Sequence, residues 1–228
     1  MSGAYAGAQA LLGCPSVCLA SGLEVGVPLF ISKLADAAQA SADLFTIVRC
    51  DGGIGQTDVN NQVAKVSYTK SAAGVGQNRI EALVGLAADI AISAAPSGTT
   101  FPDGMGGTIP INLVGGVTFP PDVNGIIQVA YCFNNQMFAF DTGGSKISLP
   151  RSVILFHELA HAFHRGNGTF NAGNPEFQAI TDENTYRGQV GLTARDPNNH
   201  NGGEGSSNGQ TIPSCSGMGP QPPGCCSC

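Results

Sequence analysis

Val153-Ile154-Leu155-Phe156-His157-Glu158-Leu159-Ala160-His161-Ala162-Phe163-His164 is the stretch on which the reading of this chain turns. Pro150 stands before it and Arg165-Gly166-Asn167-Gly168 after it, which predicts a buried helix with a proline entry and a glycine stop. Residues four apart project from one helix face, so His157 and His161 are placed to hold a single Zn²⁺ through two imidazoles. Glu158, one step round the helix, reaches the metal's water rather than the metal and is the candidate general base. The bland alternative is two histidines and a glutamate sharing a buried helix by chance. Energetics oppose it, because unpaired His and Glu are expensive to bury in so apolar a segment.

A catalytic zinc takes three protein ligands and keeps one position open. The long form HExxHxxGxxH does not supply the third. His164 stands at its glycine position and Asn167 at its last histidine, although Met218 lies downstream. His164 shares the face of the other two histidines, but ligands at i+4 and i+7 on one straight helix are too nearly collinear to surround a tetrahedral ion. It is expected to be a supporting or surface residue near the helix C-terminus. The remaining candidates are glutamates of a following helix, predicted to open at Pro175-Glu176 with Phe177, Ala179, Ile180 and Tyr186 as apolar positions. Glu176 and Glu183 follow His161 by 15 and 22 residues and, two turns apart, share a face. Glu176 is favoured, and the other is expected to be a hydrogen-bonding partner: Glu183, followed by Asn184 and Arg187, would orient a ligating histidine or brace the helix pair. Spacing alone leaves the two open.

Working outward, the 228 residues are 42% hydrophobic and 11% charged with 32 glycines, which predicts one loop-rich globular catalytic domain. The expected organisation is an N-terminal extension over residues 1–24, a catalytic domain over 25–200 and a flexible Gly/Ser/Pro/Cys-rich tail over 201–228. The fold class expected is α+β. A helix is predicted over residues 29–42, a strand over 44–50, a half-buried hairpin strand over 63–68 and a short strand over 80–86. Loops and short edge strands should fill 93–125, followed by a clear strand over 126–132.

Ten basic residues against 16 acidic ones give a net charge of -6 with no basic stripe, so nucleic acid is not an expected partner. No apolar run approaches the roughly 20 residues of a membrane span. Residues 1–6 also lack the Lys or Arg of a signal-peptide start, which leaves the compartment open. Of the eight cysteines, Cys215, Cys225, Cys226 and Cys228 crowd the end and Cys14 and Cys18 lie near the start, while Cys50 and Cys132 fall in core-like segments. The tail cysteines match no CxxC-type zinc spacing, so a stapled or disordered terminal peptide is expected rather than a second metal site.

The stretch quoted first, continued by Glu176-Phe177-Gln178-Ala179-Ile180, Glu183-Asn184-x-x-Arg187 and Gly191-Leu192-x-x-Arg195, resembles the NleD-like effector peptidases of family M91. These are gluzincins with a distant likeness to clostridial neurotoxin light chains, and the resemblance covers roughly residues 147–200. It implies a zincin-like domain with an HExxH helix and a ligand-bearing helix, to which the strands read above add a small N-terminal sheet. It also implies Glu176 as third ligand, the partner position of the family's Glu-Glu pair being Pro175. The family's closing Arg-x-x-Tyr, whose members stabilise an oxyanion, becomes Arg195 with Asn198 at the Tyr position. His200 or Tyr186 would then have to supply the second donor, and the plain alternative for Arg195 is a solvated loop charge.

Taken together, the expectation is a zinc-dependent endopeptidase acting on a protein or peptide substrate, with Glu158 as general base and a secreted or delivered effector or toxin as the setting. A zinc hydrolase of a non-peptide or cell-wall amide bond and a non-catalytic zinc-stabilised binding module are the alternatives. A structural site fills all four positions with protein ligands and has no use for a general base, so Glu158 argues against the last.

Overall fold

The computed structural model describes residues 29–199, apart from 33, 50, 52–53, 60–62, 103–106 and 134–136. It is a mixed α+β arrangement built on a six-stranded sheet. At the sheet's centre β4 (Ile90–Ala95) and β8 (Ile127–Cys132) run parallel, with Ile90 opposite Ile127 and Ala95 opposite Cys132. Both strands are almost wholly buried, which is why β4 reads as a run of Ile and Ala instead of alternating with polar residues. β1 (Leu29–Ile31) pairs parallel with β4 and antiparallel with β3 (Val63–Tyr68), and β3 pairs antiparallel with β2 (Ile54–Val59) at one edge. The opposite edge is β7 (Gly116–Thr118), antiparallel to β8.

Helices α1 (Leu34–Ile47) and α4 (Arg151–Gly166) pack on β4 and β8, and α5 (Pro175–Gln189) packs on α4. Residues Ser152 through Ala162 of α4 are all buried, because that helix meets the sheet, α1 and α5 together, and a helix apolar on all sides needs such surroundings. Phe156 stacks on Tyr186 with centroids 4.4 Å apart, joining α4 to α5. α4 stops as its glycines predict: Gly168 takes φ 69°, and the N–H of Thr169 reaches back to the His164 carbonyl at 2.9 Å. α5 begins with Asn174 accepting a hydrogen bond from the Phe177 N–H and Pro175 in the first turn.

β3, β8, α4 and α5 lie where the periodicity put them, and residues 93–125 carry a short hairpin, β5 (Thr100–Pro102) with β6 (Thr108–Pro110), then a single helical turn α3 (Ile111–Val114) and edge strand β7. Three expectations are corrected. Residues 29–31 form a strand, and the helix begins only at Leu34. Residues 44–47 of the strand expected over 44–50 are the end of that helix and 48–49 a turn: Ala40, Leu44, Ile47 and Val48 are fully buried at helical spacing, so packing of one face overrode their β propensity. The strand expected over 80–86 is α2 (Val75–Val84), whose Gly76, Gln77, Ile80 and Leu83 form its buried face. The sheet is also larger than the small N-terminal one anticipated, since β8 completes it past the middle of the chain. β9 (Met137–Phe140) and β10 (Lys146–Leu149) form a separate hairpin that leads into α4.

No helix among the described residues is long and apolar enough to cross a membrane. Cys132 is buried, and the other seven cysteines lie outside the described residues.

Candidate metal centre

Helix α4 contributes His157 and His161 one turn apart, and the first turn of α5 brings Glu176 over them. His157 Nε2 lies 3.2 Å from His161 Nε2 and 3.2 Å from Glu176 Oε2, and His161 Nε2 lies 3.3 Å from the same oxygen. The triangle is therefore nearly equilateral. Donors about 2.0–2.1 Å from a tetrahedral zinc stand about 3.3 Å from one another, so two imidazole nitrogens and one carboxylate oxygen meet here at the dimensions such an ion asks for. Among the described residues this is the group of His, Cys, Asp and Glu that could hold a metal. The histidine side chains are 5% and 9% exposed and that of Glu176 is 34% exposed, so the triangle opens to solvent on the glutamate's side.

Glu183, the other candidate, stands behind His157. It accepts from His157 Nδ1 at 3.0 Å, which keeps a proton on Nδ1 and points Nε2 toward the triangle. Two arginines hold this carboxylate in place, Arg187 Nη1 on Oε1 at 3.3 Å and Arg195 Nη1 on Oε2 at 3.2 Å. Arg187 also reaches the carbonyls of Ser148 and Thr193, tying the end of β10 and the segment after α5 to the same point. Asn184 closes the loop by exchanging two hydrogen bonds with the Arg195 backbone.

The electrostatics follow from this packing. Burial raises the Glu183 carboxyl, but His157, Arg195 and Arg187 outweigh it and hold the group below its ordinary range. Burial works against a charge on His157, yet the hydrogen bonds to Glu176 and Glu183 push its pKa up to about 10. His161 moves the other way, through burial first and then the neighbouring charge of His157, despite Glu176. Two Nε2 atoms 3.2 Å apart have room for one proton between them. The carboxylates thus ask for positive charge within the triangle, which a divalent cation would supply once both nitrogens had given up their protons to it. By donor chemistry and by dimensions, these residues form a group that could hold a metal ion.

Glu158 does not belong to the triangle. It is buried on α4, and its Oε2 accepts from the Thr118 hydroxyl of β7 at 2.7 Å. Arg165, one turn beyond His161, lies over the Phe170 ring at 3.9 Å; burial lowers its pKa while the charges of Glu158 and Glu176 raise it.

His164 is not brought to the triangle: its Nε2 meets Asp182 at 3.0 Å and its Nδ1 meets Thr169 at 2.8 Å. Asp182 is shared with Arg79 of α2, whose guanidinium lies 4.1 Å from the Phe163 ring centroid. Arg195 is 1% exposed, which overturns its reading as a solvated loop charge, and its contact with Glu183 makes it a brace of His157. Tyr186 lies in the core against Phe156, and His200 falls outside the described residues. Sequence reasoning missed Thr118 and Arg165. Neither carries a local signal, since Thr118 stands forty residues before Glu158 in a three-residue strand.

Searches against protein-family models, curated proteins and solved structures find no match to the chain.

Proposed function

We propose that the chain is a zinc-dependent peptidase of zincin-like architecture, with His157, His161 and Glu176 as the protein ligands and Glu158 as general base. The observation that carries the proposal is the triangle of 3.2, 3.2 and 3.3 Å between two imidazole nitrogens and a carboxylate oxygen. Zinc in such a site supplies Lewis acidity and brings the pKa of water down to about 7.

The chain's own residues do the rest. Glu183 fixes the orientation of the His157 ring, and the two arginines keep that carboxylate charged, so His157 need only give up its Nε2 proton, without rearranging, to act as a donor. Glu176, less buried than its partners, leaves one side of the site to water and substrate. Glu158 remains outside the ligand set, held by Thr118, and can take a proton from the attacking water and hand it to the leaving amine. A purely structural zinc site would have a fourth protein ligand and a closed shell; a carboxylate next to the ligand set and an open side favour hydrolysis. The motif resemblance to the M91 effector peptidases leads to the same conclusion and adds a protein in a target cell as the proposed substrate class.

The test is elemental analysis of purified protein combined with peptide cleavage. About one zinc per chain and a cleavage activity that a chelator removes and zinc restores are expected. Protein that binds no zinc under these conditions would overturn the proposal.

A further inference from the structure

One support of Glu158 comes from the sheet's edge, forty residues away in the chain. Gly116 and Thr118 are two apart in β7, so both face the same side, toward α4. The Thr118 hydroxyl lies 2.7 Å from Glu158 Oε2 and 2.9 Å from the Glu158 carbonyl oxygen. Its single proton favours the nearer, charged acceptor, where a hydrogen bond is stronger. Beside it Gly116 leaves the space that the carboxylate fills: a Cβ there would stand 2.5 Å from Glu158 Cγ and 2.6 Å from Oε1. The carboxylate thus lies between a hydroxyl that holds one oxygen and a glycine that makes room for the other. β7 is itself fixed by its register on β8, with Val117 opposite Ala130 and Thr118 opposite Val129.

Taking Glu158 as the general base proposed above, we infer that Thr118 is its positioning residue, holding Oε2 so that the side chain meets the reacting water in a single conformation. Without the hydroxyl, Oε2 loses a fixed partner, and a less precisely aimed base slows the proton transfer without altering how substrate is bound. The effect falls on kcat. The change Thr118→Ser keeps the donor, whereas Thr118→Val keeps the shape and removes it.

The experiment compares wild type, Thr118→Val, Thr118→Ser and Glu158→Gln, each loaded with zinc, on a peptide cleaved by the wild type from a proteome-derived library. The expected result is that Thr118→Val keeps its zinc and its KM within about twofold while kcat falls on the order of tenfold. Thr118→Ser should stay within about threefold of wild type. A second readout needs no activity: urea unfolding of the metal-stripped protein in a double-mutant cycle of Thr118→Val with Glu158→Ala. Thr118→Val should shift the unfolding equilibrium on the order of tenfold when Glu158 is present and far less in the Glu158→Ala background. An unchanged kcat in Thr118→Val, an equal loss in Thr118→Ser, loss of zinc, or no coupling in the cycle would each overturn the inference while leaving the peptidase assignment standing. A zinc-loaded wild type that cuts nothing in the library would instead overturn that assignment, and the role of Thr118 with it.

Discussion

His157 gives its Nδ1 proton to Glu183, 3.0 Å away and wholly buried, while its Nε2 faces Glu176 at 3.2 Å. One imidazole therefore separates the two glutamates, and each has a different task. The carboxylate on the Nδ1 side orients the ring, and the one on the Nε2 side would, in the proposed site, share the ion.

Metal content should separate them. Glu176→Ala is expected to leave the protein without zinc at micromolar metal, while Glu183→Ala should still bind it, about 10- to 100-fold more weakly. Competition with a chelator of known affinity measures both. Retention of wild-type affinity by Glu176→Ala would remove it from the ligand set.

The buried carboxylate also makes a prediction about acid. Glu183 lies below its ordinary value of 4.5 in the folded protein, so the folded state binds its proton less readily than the unfolded chain. Its contribution to stability is then complete above about pH 4.5 and is lost as the pH falls through the lowered value. Urea unfolding of metal-stripped protein between about pH 3 and 7 should show wild type losing more stability toward acid than Glu183→Gln. Parallel curves for the two proteins would contradict the assignment.

Arg187 is 1% exposed and fully committed, to Glu183, Thr193 and Ser148. Removing one member of a buried ion pair strands the other, so Arg187→Ala should cost about 3–5 kcal/mol of stability. Thermal and urea unfolding measure it. A change as small as that of an exposed ion pair, under about 1 kcal/mol, would show that the network does not hold α5 to the rest.

Glycine at position 76 is required by packing rather than by backbone conformation. A Cβ there would lie 1.9 Å from the Ile47 carbonyl oxygen, at the end of α1 where α2 crosses closely. Gly76→Ala should destabilise the protein by about 1–3 kcal/mol even though alanine favours helices. Stabilisation by the same change would mean that the two helices are not in contact.

How much of this could be read in advance depends on whether local pattern and tertiary packing agree. The α4 helix was legible because Val153 through Ala162 are apolar enough to be helix and core at once, and because histidines four apart have few other uses. The end of α1 was not, since Leu44-Phe45-Thr46-Ile47-Val48 suits a strand locally and only burial of Leu44, Ile47 and Val48 on one face decides for helix. The choice between Glu176 and Glu183 was likewise beyond spacing. Both share a face of α5, and what distinguishes them is that α5 crosses α4 with its first turn over the Nε2 atoms and its third behind His157. Arg195 was noticed, but its burial against Glu183 depends on the chain folding back after α5, which no periodicity announces.

The measurement that bears most directly on the proposed chemistry is the rate of peptide cleavage by Glu158→Gln at zinc occupancy matched to wild type. The wild type should cleave, and Glu158→Gln should retain its zinc and lose on the order of 10²- to 10⁴-fold in kcat. Cleavage by Glu158→Gln at the wild-type rate would contradict the account.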